Sequence, residues 1–240
     1  MTEVRTMTFI QPLPVVLLPG FMLDETLWDD YLKNVATGRS YLRLPLSPGE
    51  TLQDIAAGFA DRLPERFVIV GFSLGGYVAR TVAAQYGQRV AGMILIATSL
   101  RDDTPQQKQR KQEAVAATLG GSFQGLSPSA IKNSLHPDHA GDPQQVERIR
   151  AMGRTLGAQV FRTQSLLDRT DIPQADISCP VLVISARQDN LRLPEEATEL
   201  AERFPQAESV VVEHSGHIIP LEQPEKLADI TDHWLKKHRL

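Results

Sequence analysis

Phe67-Val68-Ile69-Val70-Gly71-Phe72-Ser73-Leu74-Gly75-Gly76 joins an unbroken apolar run to a serine set among glycines. Consecutive apolar residues without alternation describe a strand covered on both faces, and residues 77–86 that follow have apolar side chains at helical spacing. The serine therefore falls on a sharp strand-to-helix turn. A side chain presented there needs a strained backbone, and its neighbours would collide unless they were small, which gives Gly71 and Gly75 a mechanical cause. A glycine-rich turn before a helix can also bind phosphate on its backbone amides. This stretch lacks the Lys-Ser/Thr ending of a P-loop and the Gly-x-Gly-x-x-Gly of a dinucleotide fingerprint, so Ser73 is read as a nucleophile.

The same pattern repeats along the chain. Short β-branched or leucine-rich runs at 15–18, 41–44, 93–97, 181–185 and 210–212 are followed by turn residues, and 27–35, 52–63, 194–204 and 224–237 have helical periodicity. Strands alternating with helices predict an α/β fold with a doubly wound, mostly parallel sheet. Residues 6–10 could add an antiparallel edge strand. The alternation lapses over residues 101–176, where helical patches at 108–119 and 146–167 are separated by Gly, Pro and Ser. The chain is therefore divided into a core, 1–100 and 177–240, and a helical cap insertion, 101–176, within a single domain. Loops leaving the carboxyl ends of parallel strands form the ligand crevice, so such an insertion would lie over an active site.

A serine at its free pKa needs a base within hydrogen-bond reach, itself oriented by a carboxylate. His217 follows the last strand-like run, in Glu213-His214-Ser215-Gly216-His217, which places it at the carboxyl end of the sheet. His214 lies nearer the strand and is read as a brace for the loop, whereas His136, His139, His233 and His238 are read as surface or packing residues. Asp189 stands in the loop after the run 181–185 and is the expected carboxylate, with Asp102 and Asp103 as rivals and a plain turn aspartate as the bland reading. The order Ser73, Asp189, His217 differs from that of the main serine-protease types. Two backbone donors are needed for a developing oxyanion: the N–H of Leu74, after the nucleophile, and the N–H of Phe21, in the loop Pro19-Gly20-Phe21. Phe21, Met22, Leu74, Leu119, Phe123 and Phe161 are expected to wall an apolar pocket.

Composition removes other classes. The 240 residues contain 25 Lys plus Arg against 29 Asp plus Glu, a net charge of −4, which leaves no basic excess for a nucleic-acid backbone. The Lys/Arg clusters at 108–111 and 236–239 are short. No run approaches the length of a membrane span, and Glu3, Pro12 and Pro14 argue against reading the N-terminus as a signal peptide. The single cysteine, Cys179, cannot form an internal disulfide and is read as structural; no Cys/His cluster has zinc spacing. A cytoplasmic location is expected, with no metal and no organic cofactor. A core of this length needs neither a disulfide nor a metal for stability.

Taken together, the loop Pro19-Gly20-Phe21, the elbow 71–76, the loop ending in Asp189 and Gly216-His217 with Glu222-x-Pro224 downstream resemble the α/β-hydrolase superfamily, in its small esterase and acyl-hydrolase branch with a helical cap. The resemblance spans 15–235 outside the cap. Many relatives have His-Gly where Pro19-Gly20 stands here; the expected donor is Phe21, so catalysis should survive. Members with an aspartate nucleophile act on halides and epoxides, and Ser73 occupies that position. The resemblance thus implies a serine hydrolase cleaving a small or medium carboxylic ester through an acyl-enzyme. Cleavage of C–C bonds, lactone or thioester hydrolysis, acyl transfer and a non-catalytic small-molecule receptor are the alternatives. The expected partner is a small-molecule ester, with no nucleic acid and no membrane; oligomeric state, homodimer included, stays open.

Overall fold

The alternation of side chains along each strand builds two cores at once. The computed structural model describes residues 11–118, 122–173 and 175–240. In it, β1 (Val15–Leu18), β2 (Tyr41–Arg43), β3 (Phe67–Phe72), β4 (Val90–Ile96), β5 (Val181–Ala186) and β6 (Ala207–Val212) pair in the order β2-β1-β3-β4-β5-β6, parallel throughout. Val15, Leu17, Val68, Val70, Ile94, Ile96, Leu182 and Ile184 enter one buried cluster, while their neighbours Val16, Leu18, Phe67, Ile69, Met93, Leu95, Val181 and Val183 enter the other. Both faces are covered, which is why these strands are apolar at every position.

The first cluster is closed by α1 (Asp29–Asn34) and α9 (Pro224–Lys237), through Tyr31, Leu227 and Trp234. The second is closed by α2 (Leu52–Ala57), α3 (Leu74–Gln85) and α7 (Pro194–Glu202), through Ile55, Tyr77, Val78 and Leu200. Helices on both faces make the sheet doubly wound. From β1 the chain goes outward to β2 and returns to the other side of β1 as β3, so the strand order reverses between β1 and β3. Ligands bind outside the carboxyl ends of strands at such a switch point, and the loops there contain Phe21 and Ser73.

Between β4 and β5 lie α4 (Pro105–Ala117), α5 (Pro128–Ser134) and α6 (Pro143–Leu166). Each begins with proline behind a Thr104, Ser127 or Asp142 side chain that caps the first turn. Ile131, Leu135, Val146, Ile149 and Met152 of this segment join the first core cluster, so the segment is packed onto the sheet and its helices.

Several elements depart from the periodicity. The helix expected over 52–63 ends at Ala57, where Gly58 caps it, and turns carry the chain on to residue 62. The one expected over 146–167 starts earlier and breaks at Gly157, whose φ of 80° is left-handed. β4 begins at Val90, ahead of the expected 93, because Ala91 and Gly92 hide the strand propensity. The helices α5 and α8 (Ile219–Glu222) are too short to show a period. The edge strand expected at 6–10 lies outside the described residues. Cys179 packs, partly buried, against the second core, and burial pushes its thiol up to about 11.

Candidate active site

Ser73 follows β3 directly and precedes α3, and its backbone adopts φ 50° and ψ −112°. A non-glycine residue in this region costs about 1–3 kcal/mol and persists only where its surroundings impose it. Here three hydrogen bonds do so: the Ser73 N–H donates to the Ile96 carbonyl at 2.8 Å, and the Ser73 carbonyl accepts from Gly76 N–H at 3.0 Å and from Thr98 Oγ1 at 2.8 Å. The flanking glycines are sterically required. A Cβ on Gly71 would run into the Gly75 carbonyl, and one on Gly75 into the carbonyl of Pro19. The turn is therefore pressed against the Pro19-Gly20-Phe21 loop with no room for side chains.

His217 Nε2 lies 2.9 Å from Ser73 Oγ, and His217 Nδ1 lies 2.7 Å from Asp189 Oδ2. The other carboxylate oxygen, Oδ1, accepts the N–H groups of Leu191 at 2.7 Å and Arg192 at 3.0 Å, which fixes the carboxylate plane on the loop after β5. Three segments distant in sequence thus converge in one hydrogen-bonded series. Ser73 and His217 are 8% and 6% exposed, so the series is sheltered but reachable from the cavity above it. The His217 ring also packs on Phe72, centroid to centroid 5.2 Å.

Leu74 is the first residue of α3, where an amide has no acceptor within its own helix, and Phe21 stands in the turn after β1. Ser73, His217 and Phe21 line a cavity of about 330 Å³ together with Leu23, Ile131 and Ile149. A second cavity of about 490 Å³ is lined by Phe21, Phe123, Phe161 and Leu126, and the two share Phe21, Lys111, Leu126 and Ala130. Phe123 and Phe161 therefore wall the neighbouring cavity rather than the one at Ser73, their rings 4.9 Å apart.

Two residues expected on the pocket wall are not there. Met22 is fully buried with Val115 and Phe161, lines neither cavity, and donates its N–H to Gln164 Oε1 at 2.8 Å, so it ties the loop after β1 to α6. The Leu74 side chain points into the second core and only its amide is available to the site. Leu119, also expected on the wall, lies outside the described residues.

The remaining candidates are accounted for by other partners. Asp102 pairs with Lys108, and Asp103 with Lys111 and Arg169. His136, read from sequence as a surface or packing group, is buried beside the rings of His139 and His214, at 5.6 and 6.2 Å. His238 bonds to Glu208 at 2.7 Å. One residue assigned no part in the site stands behind it: the Glu222 carboxylate accepts the His136 N–H at 2.6 Å, meets His139 Nδ1 at 3.0 Å, and lies 3.5 Å from Ser215 Oγ. Its only signal in the sequence is the Glu222-x-Pro224 pair. Among the described residues, no helix is long and apolar enough to cross a membrane.

Known proteins resemble this chain over most of its length. The pimeloyl-(acyl-carrier protein) methyl ester esterase of Nitrosomonas europaea is 24% identical over 247 residues, covering 91% of this chain and 94% of that protein. The enzyme of the same name from Aromatoleum aromaticum is 28% identical, covering 89% and 94%. A thermophilic esterase from Thermogutta terrifontis superposes with a TM-score of 0.78 at 28% identity, covering 95% of this chain and 91% of that one. The enol-lactonase of Burkholderia xenovorans LB400 shares the fold at a TM-score of 0.78 and 21% identity, over 94% and 92% of the two chains. The model of the alpha/beta hydrolase family matches residues 15–230, from the first strand into the last helix, and the chain belongs to that family.

Proposed function

We propose that the protein is a serine hydrolase of carboxylic esters, with Ser73, His217 and Asp189 as its catalytic triad. The observation that supports this most is the Ser73–His217–Asp189 hydrogen-bonded series opening into a cavity. Ser73 Oγ attacks the ester carbonyl as His217 Nε2 takes its proton, and the carbonyl oxygen becomes an oxyanion held by the amides of Phe21 and Leu74. The C–O bond to the alcohol then breaks, the alcohol leaves with the proton from His217, and the acyl group remains on Ser73. Water repeats the sequence and releases the acid. Asp189 keeps Nδ1 protonated, so that Nε2 faces the serine with its lone pair. Nothing in this sequence of steps requires a metal or an organic cofactor.

The relatives from Nitrosomonas europaea and Aeromonas hydrophila, matched over 91% and 92% of this chain, are named as ester hydrolases, which supports ester cleavage. The adjoining apolar cavity would take a small or medium acyl chain. The test is hydrolysis of 4-nitrophenyl butyrate by wild type, Ser73→Ala and His217→Ala, with fluorophosphonate labelling of Ser73. Loss of kcat by a factor on the order of 10³ or more in each variant, with unchanged circular dichroism, is expected. Equal turnover in all three proteins would reject the mechanism, and absence of labelling in folded wild type would point to a receptor.

A further inference from the structure

The wall of the Ser73 cavity holds more positive charge than the triad can use. Lys111 from α4, Arg169 from the segment after α6 and Arg192 from the loop containing Asp189 all line it, and Asp103 is the one acidic side chain among its lining residues. Asp103 is shared: its Oδ2 accepts from Lys111 Nζ, and its Oδ1 lies 3.3 Å from Arg169 Nη1. Arg192 Nη1 lies 3.5 Å from Glu196 Oε2, but the other Glu196 oxygen already accepts the Leu193 N–H at 2.9 Å. The Arg169 side chain is 9% exposed, and the buried Nε atoms of Arg169 and Arg192 have no hydrogen-bond partner among the described residues. Stacking of Arg169 over the Tyr77 ring at 5.6 Å offsets only part of its desolvation.

A buried guanidinium with unmet donors is costly, and its fork geometry matches a carboxylate. In a protein whose net charge is −4, such a concentration of cations beside the nucleophile is a local arrangement, not a reflection of composition. We infer that the ester cleaved at Ser73 carries a carboxylate of its own, bound by Arg169 with Lys111 and Arg192 beside it. The inference rests on the ester-hydrolase reading and narrows its substrates to anionic esters, such as half esters of dicarboxylic acids. The cluster joins the insertion to the Asp189 loop, so an anion bound there would also draw these two segments together.

The experiment compares monomethyl glutarate and monomethyl adipate with methyl butyrate and methyl pentanoate, and acetylated hydroxy acids with alkyl acetates, on wild type, Arg169→Met and Arg169→Lys. The wild type should prefer the anionic member of at least one series by about tenfold or more in kcat/KM. Arg169→Met should lose about 10- to 100-fold on that member, a loss at least several-fold greater than on its neutral counterpart, and Arg169→Lys should recover part of the difference. No anionic preference in wild type, which requires no variant to fold, would overturn the inference. So would an equal loss on charged and neutral esters in folded Arg169→Met. Failure of the ester-hydrolase reading is separable, because calorimetric titration of Ser73→Ala with monomethyl glutarate reads the subsite without chemistry. Binding that disappears in Ser73→Ala/Arg169→Met supports the anion site, and absence of binding to folded Ser73→Ala overturns it.

Discussion

Asp189 divides its two oxygens between tasks, and that division sets what a single atom change should do. Oδ1 holds the loop by accepting the Leu191 and Arg192 amides, and Oδ2 faces His217 Nδ1 at 2.7 Å. In Asp189→Asn, the side-chain oxygen can keep the two loop hydrogen bonds, which leaves the amide NH₂ toward the imidazole. That group donates, so it selects the tautomer with the proton on Nε2, where a base needs its lone pair. A fall in kcat on the order of 10⁴ is expected, with the fold and substrate KM nearly unchanged. Stopped-flow or steady-state assays of the variant check it, and a loss below tenfold would show that Asp189 does not orient the base. The position of Asp189 was legible because a strand-like run ends just before it. Which of its oxygens faces the histidine depends on two amides that no spacing rule reports.

Among the elements, the two short helices that periodicity does not reveal support the His217 loop. The N–H of His217 donates to the Ser134 carbonyl at the end of α5 at 2.8 Å, and a Cβ on Gly216 would approach His136 N to 2.5 Å. Glu222, at the end of α8, meets the segment after α5 from the other side through the His136 N–H and His139. The segment between β4 and β5 therefore helps to fix the His217 loop, although its own sequence contains no catalytic motif. Glu222→Leu would leave the buried His136 N–H without an acceptor, at a cost of about 1–3 kcal/mol in urea unfolding. Because His139 is more exposed, His139→Ala should cost less, since water can replace what it loses. A smaller loss in Glu222→Leu than in His139→Ala would remove Glu222 from this supporting role. Six strands were legible as short apolar runs and the helices flanking them as apolar periods; α5 and α8, of seven and four residues, are held by caps and tertiary contacts instead.

For the whole molecule, the parallel sheet could be read from the chain because burial on both faces leaves an unmixed apolar record in every central strand. The pocket could not, because its walls come from separate segments whose side chains turn inward or away for reasons of packing: Met22 into a core, Phe123 and Phe161 onto a second cavity, Lys111 onto both. Lys111 also couples the pocket to the stability of the fold. Burial, and after it the charge of Arg169, push its ammonium down to about 8, against the hydrogen bond that it donates to Asp103. Unfolding returns the side chain to water and to its ordinary value of 10.5. Between these values the unfolded chain holds a proton that the folded chain has released, so the contribution of Lys111 to stability rises with pH across that window. Below about 8 both states are protonated and the contribution is constant at its least favourable. Urea unfolding of wild type and Lys111→Met at pH 7.5 and 10 isolates it, because the other groups titrating there are common to both proteins. The stability difference between wild type and variant should shift in favour of wild type at the higher pH; an unchanged difference would mean that Lys111 titrates as it does in water.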